Sequence, residues 1–166
     1  MTEELFQDLL VFLKGQVIGV VSTVSQAGEP ESATVFYWAN DIDKKRKTFD
    51  LYFVTRRHTR KFQNLLFNKA VAFVIGTEFR SSTLQLQGEA ELIESADGFK
   101  DLTRFVKGMI HQPKLAAIYA GSFLPRNPFT KLEGENFAVI KVRPTWVRWM
   151  RFDETDQRPV YHQILG

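Results

Sequence analysis

Cysteine is absent from the 166 residues, and that one absence removes disulfides, thiolate nucleophiles, iron–sulfur clusters and Cys-based zinc sites together. No apolar run approaches the roughly 18 residues of a membrane span. Acids at Glu3, Glu4 and Asp8 stand where a secretory signal needs basic residues, so a cytoplasmic protein with no membrane partner is expected. Charge of one sign is also scarce. The 22 Lys plus Arg and 19 Asp plus Glu leave a formal net charge of +3, too little to argue for nucleic acid by itself. The three histidines, His58, His111 and His162, lie far apart and without ligand spacing, so no metal site is expected. No serine sits in a Gly-x-Ser-x-Gly elbow and no nucleophile–base pair stands out, which excludes the common hydrolase designs.

What is present is core material. Apolar residues make up 44% and charged residues 25%, the balance of one globular domain spanning 1–166. Fifteen Phe and three Trp fall largely inside β-branched runs, which favours strands over a helical bundle. Thr2 is placed to cap a helix in which Leu5, Phe6, Leu9, Leu10 and Leu13 recur at helical spacing until Gly15. QVIGVVSTVS (16–25) and ESATVFYWA (31–39) read as a hairpin around Gly28 and Pro30, and NDIDKKRKT (40–48) as a loop whose charges are solvated. FDLYFVT (49–55) is a third strand, RRHTRKFQNLLFN a short helix marked by Phe62, Leu65 and Leu66, and AVAFVIG (70–76) a fourth strand. TLQLQGEAELIE (83–94) alternates apolar and polar residues as a half-buried strand should. Two helices, from Ser95 to Gly108 and from Pro113 to Gly121, a Pro/Gly-bearing loop and a last strand over 136–150 complete the chain. The expected fold is mainly β with peripheral α: a closed or nearly closed barrel of about six antiparallel strands with short flanking helices.

The segment TRRHTRK (55–61) puts Arg56, Arg57, Arg60 and Lys61 at or before the first turn of a helix. A helix N-terminus carries partial positive charge and unsatisfied N–H groups, so cations there cost a few tenths of a kcal/mol each unless an anion lies among them. A phosphate explains the pattern, with Thr59 as N-cap and hydroxyl donor; an ordinary solvated basic turn is the other reading. Tyr37, Trp38, Trp146 and Trp149 are either stacking surfaces for a ring or packing residues.

The order and spacing of these pieces resemble the flavin-binding split-barrel family related to pyridoxine 5′-phosphate oxidase, over roughly Leu5 to Met150. The pieces are the leading helix before a Gly/Val-rich strand, the Gly28–Pro30 turn, ESATVFYW, the strand ending in Val54 and Thr55, the Thr59-Arg60-Lys61 triplet with Leu65 and Asn68 after it, and LQGEAEL. The resemblance implies FMN as cofactor. Ser32, Ala33, Thr34 and Val35 would present backbone to the flavin ring, and Val54 and Thr55 would lie at the strand end near the phosphate. Thr59, Arg60 and Lys61 would grip that phosphate, with Thr83 or Gln85 adding a polar side chain. It also implies a homodimer with each site built from both subunits, and an oxidoreductase whose chemistry belongs to the cofactor. Ala33 and Trp38 stand where the oxidase proper carries Arg and Lys, and the C-terminal segment matches its Arg-containing motif poorly, which points to the small stress-protein-like relatives. Their substrate and electron donor are unassigned. Deazaflavin or haem in the same fold is an alternative cofactor. From another class, the alternative is a non-enzymatic basic barrel binding single-stranded nucleic acid by stacking and phosphate contacts. Cations clustered at one helix end suit one compact phosphate better than a row of them.

Overall fold

The structure is a computed structural model and is described for residues 2–76, 82–93, 137–152 and 158–166. Helix α1 (Glu3–Gly15) starts where Thr2 Oγ1 accepts a hydrogen bond from the Leu5 amide at 3.2 Å. Its face of Phe6, Leu9, Leu10 and Leu13 is buried, each side chain contributing on the order of 1.5–3 kcal/mol by leaving water. At the far end the Leu13 carbonyl, one of the orphan acceptors of a helix C-terminus, is satisfied by the Tyr37 hydroxyl at 2.9 Å. Tyr37 is fully buried, which raises its pKa; its ring is core, packed edge-on to Phe73, and not a stacking platform.

Among the described residues seven strands follow in chain order around a second helix: β1 (Ile18–Val24), β2 (Pro30–Asp43), β3 (Thr48–Arg56), α2 (Arg60–Phe67), β4 (Ala70–Ile75), β5 (Thr83–Ile93), β6 (Phe137–Phe152) and β7 (Pro159–Leu165). They form one antiparallel sheet in the order β3-β2-β1-β4-β5-β6-β7, and a further pairing of β3 with β6, Leu51↔Val142 through Arg56↔Phe137, closes β1 to β6 into a barrel. The expected six-stranded barrel is therefore present. Its interior holds the buried partners of each alternating strand, among them Val21, Val35, Phe53, Phe73, Leu86 and Val147.

Three expectations are corrected. β2 does not end at Ala39 but runs to Asp43, because a bulge between Asn40 and Asp43, with Asp41 at φ 50°, lets the strand bend and continue. The turn shrinks to 44–47, held by Asp43 Oδ1 accepting from the amides of Lys45 and Arg46. The charge of Asp41 is thereby taken out of the solvated loop: it pairs with Lys141 at 2.9 Å and accepts the Tyr52 hydroxyl. Finally, the strand over 136–150 is not the last; β7 adds to the far edge of β6. The helices expected over 95–108 and 113–121, and the loop after them, lie outside the described residues.

Candidate functional site

The barrel is split at one place that matters. β2 pairs with β1 from Pro30 to Phe36, but its pairing with β3 begins only at Tyr37. Between Pro30 and Val35 the other edge of β2 has no strand beside it among the described residues, so the outward backbone N–H and C=O groups of this segment face no neighbouring strand there. Ser32, Ala33, Thr34 and Val35 all lie on this segment. Ser32 and Thr34 are exposed, Ala33 is half-buried and Val35 is in the core. Ser32 Oγ and Ser22 Oγ, on β1, are 2.7 Å apart.

Beside that edge, β3 ends and α2 begins. Thr55 is buried, and its hydroxyl lies 2.9 Å from that of Thr59. Thr59 occupies the N-cap position with extended backbone, as expected, but its hydroxyl donates to the Arg56 carbonyl at 2.8 Å and caps no helix amide. The amides of the first turn of α2, at Arg60, Lys61 and Phe62, therefore keep their unsatisfied positive character. Arg57 is turned aside, its guanidinium 5.4 Å from the centre of the Phe62 ring.

An open cleft of about 620 Å³ lies between the two elements. Ser32, Ala33, Thr59, Arg60 and Lys61 all line it, so five residues singled out from the sequence meet in one cavity. His58 lines it as well. Arg60 has an exposed side chain, and Lys61 makes no ion pair among the described residues. Thr23 and Glu31 complete the wall and were not foreseen. Glu31 is an acid in a basic segment's cavity, which no charge pattern along the sequence would suggest. Nor did the sequence reveal Asn64, buried behind it: its place on α2 was read only through the apolar residues, and Leu66, one of the three that marked the helix, is exposed.

The remaining expected residues lie elsewhere in this chain. Val54 points to the opposite face of β3 from Thr55 and packs on a separate outer cluster, the stacked rings of Trp38 and Tyr52. Thr83 donates to the Gly76 carbonyl at 2.7 Å, and Gln85 accepts from Arg148 at 2.8 Å. Both are on β5, three strand spacings or about 14 Å around the barrel from β2. Arg148 in turn lies over the rings of Trp146 and Tyr161. Trp149 is core.

A second, smaller cavity of about 210 Å³ opens where Trp38, Asp41, Tyr52 and Lys141 meet. Lys141 sits 2.9 Å from both Asp41 and Asp50, its pKa raised chiefly by Asp50, while burial and the Asp41 hydrogen bond push the Tyr52 phenol up to about 12. Among the described residues no cluster of three or more metal-ligating side chains occurs, and no helix is long and apolar enough to cross a membrane.

The architecture is a split antiparallel barrel with a basic strand-to-helix turn at its opening. The chain belongs to the pyridoxamine 5′-phosphate oxidase family, whose model matches residues 5–151. Among solved structures it resembles general stress protein 26 from Bacillus anthracis, at 21% identity over 96% of this chain and 98% of that one, with a TM-score of 0.61. A pyridoxamine 5′-phosphate oxidase-related, FMN-binding protein from Nostoc punctiforme matches at 18% identity over 99% and 94%, with a TM-score of 0.54. A heme-binding protein from Mycobacterium smegmatis matches at 14% identity over 98% of this chain and 58% of that one, with a TM-score of 0.61. These likenesses establish the shared fold. No curated protein sequence matches.

Proposed function

We propose that this protein is a cytoplasmic, homodimeric FMN-binding oxidoreductase. The observation that carries the reading is the coincidence of two features at one cleft: the edge of β2 from Pro30 to Val35, which has no strand beside it among the described residues, and the cations Arg60 and Lys61 at the start of α2. A flavin needs both a polar edge for its ring and a cationic seat for its phosphate. The residues present fit it: Arg60, Lys61 and the first-turn amides of α2 would hold the phosphate, Thr59 would fix the turn that presents them, and the backbone of Ser32–Val35 would meet the ring, with Thr55 behind them. Bound FMN would supply hydride and electron transfer, leaving the protein to position it and exclude water. The Nostoc relative, described as FMN-binding, supports the choice of flavin, and the heme-binding relative makes haem the alternative to exclude.

Thr83 and Gln85, remote from the cleft within one chain, would reach it across a two-fold axis. Ile18, Leu66, Phe67 and Tyr161, exposed apolar side chains, supply surface of the kind a homodimer buries. The absorption spectrum of the protein as purified, followed by FMN titration with flavin fluorescence as readout, tests the reading. A yellow protein or saturable quenching is expected; no binding at concentrations on the order of tens of micromolar, or a Soret band in place of flavin absorption, would contradict it.

A further inference from the structure

The cleft assigned above to a phosphate already contains an anion. Glu31, at the start of β2, has only 19% of its side chain exposed, and both of its carboxylate oxygens are engaged. Oε1 pairs with the guanidinium of Arg60, and Oε2 accepts a hydrogen bond from Asn64 Nδ2 at 3.0 Å. The same Asn64 nitrogen donates to Thr23 Oγ1 at 3.0 Å, and Thr23 and Asn64 are themselves buried. The carboxylate is thus fixed from behind by β1 and α2. Arg60, with 82% of its side chain exposed, could reach freely into water, yet it folds back onto this acid.

We propose that Glu31 is a resident competitor for Arg60, holding the guanidinium when no ligand is present and weakening the site for a phosphorylated ligand, so that the flavin exchanges instead of staying permanently bound. The inference rests on the cleft being a phosphate site. Two anions that touch one guanidinium lie within roughly 6 Å of each other, close enough for like charges to repel appreciably even at the effective dielectric of a protein surface. A seat meant only to retain a dianion gains nothing from an acid in its wall. Arg60 offers five N–H donors, so the phosphate displaces or shares the Glu31 contact without leaving the guanidinium unpaired.

Glu31→Gln removes the charge while keeping the size of the side chain and a carbonyl oxygen for Asn64. FMN is expected to bind the variant at least about tenfold more tightly, mainly through slower dissociation, while riboflavin, which lacks the phosphate, binds both proteins equally. Inorganic phosphate, followed by its effect on the melting temperature, should raise that of the variant more than that of the parent. If the parent prefers FMN to riboflavin but the variant binds FMN no more tightly, the flavin reading stands and the competitor role is overturned, Glu31 being a brace for Arg60. If neither protein prefers FMN yet phosphate still stabilises the variant more, the competitor role stands and the flavin reading falls. Equal phosphate shifts without FMN preference overturn both.

Discussion

Thr55 Oγ1 and Thr59 Oγ1 stand 2.9 Å apart, hydroxyl to hydroxyl, and so tie the end of β3 to the residue before α2. Because Thr59 gives its proton to the Arg56 carbonyl, Thr55 is the donor between them. This short chain of bonds fixes the turn that sets Arg60 and Lys61 against the cleft, and it uses the one hydroxyl that would otherwise cap the helix. Thr55→Val, nearly the same shape, removes the buried donor. A loss of about 1 kcal/mol in chemical denaturation is expected, with FMN weakened and riboflavin unchanged; equal loss of both ligands would show that the turn does not act on the phosphate.

Asn64 joins Thr23 to Glu31 in the wall behind the cleft. Asn64→Leu leaves the buried Thr23 hydroxyl and part of the Glu31 carboxylate without their partner, and should cost about 1–3 kcal/mol. The double variant Thr23→Val, Asn64→Leu removes both ends of one of those bonds and should recover part of that loss. Additive losses, measured by denaturant unfolding, would contradict the coupling.

The Tyr52, Asp41, Asp50 and Lys141 network makes stability depend on alkaline pH. The Tyr52 phenol is raised from 10.0 to about 12 by burial and Asp41, and Lys141 is raised above its usual 10.5, chiefly by Asp50. Both groups hold their protons more tightly folded than unfolded, so the folded state binds more protons and stability falls as pH rises. The contribution is complete below the unfolded values and is lost above about pH 10. Denaturant midpoints should be flat just below that pH and fall steeply between pH 10 and 12, less steeply in Tyr52→Phe; a rising midpoint in that window would contradict the assignment.

Much of this fold was legible because burial and periodicity coincide. The Leu84, Leu86 and Ala90 alternation is the inner face of β5, and the Phe6, Leu9, Leu10 and Leu13 stripe is the buried face of α1. Polar continuations were not legible. Asn40 to Asp43 read as a loop because no local pattern tells an edge bulge from a turn, and the ion pair of Asp41 with Lys141 spans a hundred residues. In the site, the cations announced themselves by standing at the wrong end of a helix. Glu31 and Asn64 could not, since their roles arise only from bonds between β2 and α2, and the β2 edge without a neighbouring strand among the described residues follows from where β3 stops pairing rather than from any residue.

If TRRHTRK seats a phosphate, the variant Arg60→Ala, Lys61→Ala must lose it. Replacing both removes two charge-assisted contacts of roughly 1.5–3 kcal/mol each, a weakening of about two to four orders of magnitude for FMN. The fold should persist, because the Arg60 side chain is exposed and Glu31 keeps its bond to Asn64. The measurement is a pair of titrations, FMN and riboflavin, on variant and parent. FMN affinity falling by that factor, with riboflavin unchanged, is the predicted result; an FMN affinity equal in the two proteins would show that the segment is only a basic turn.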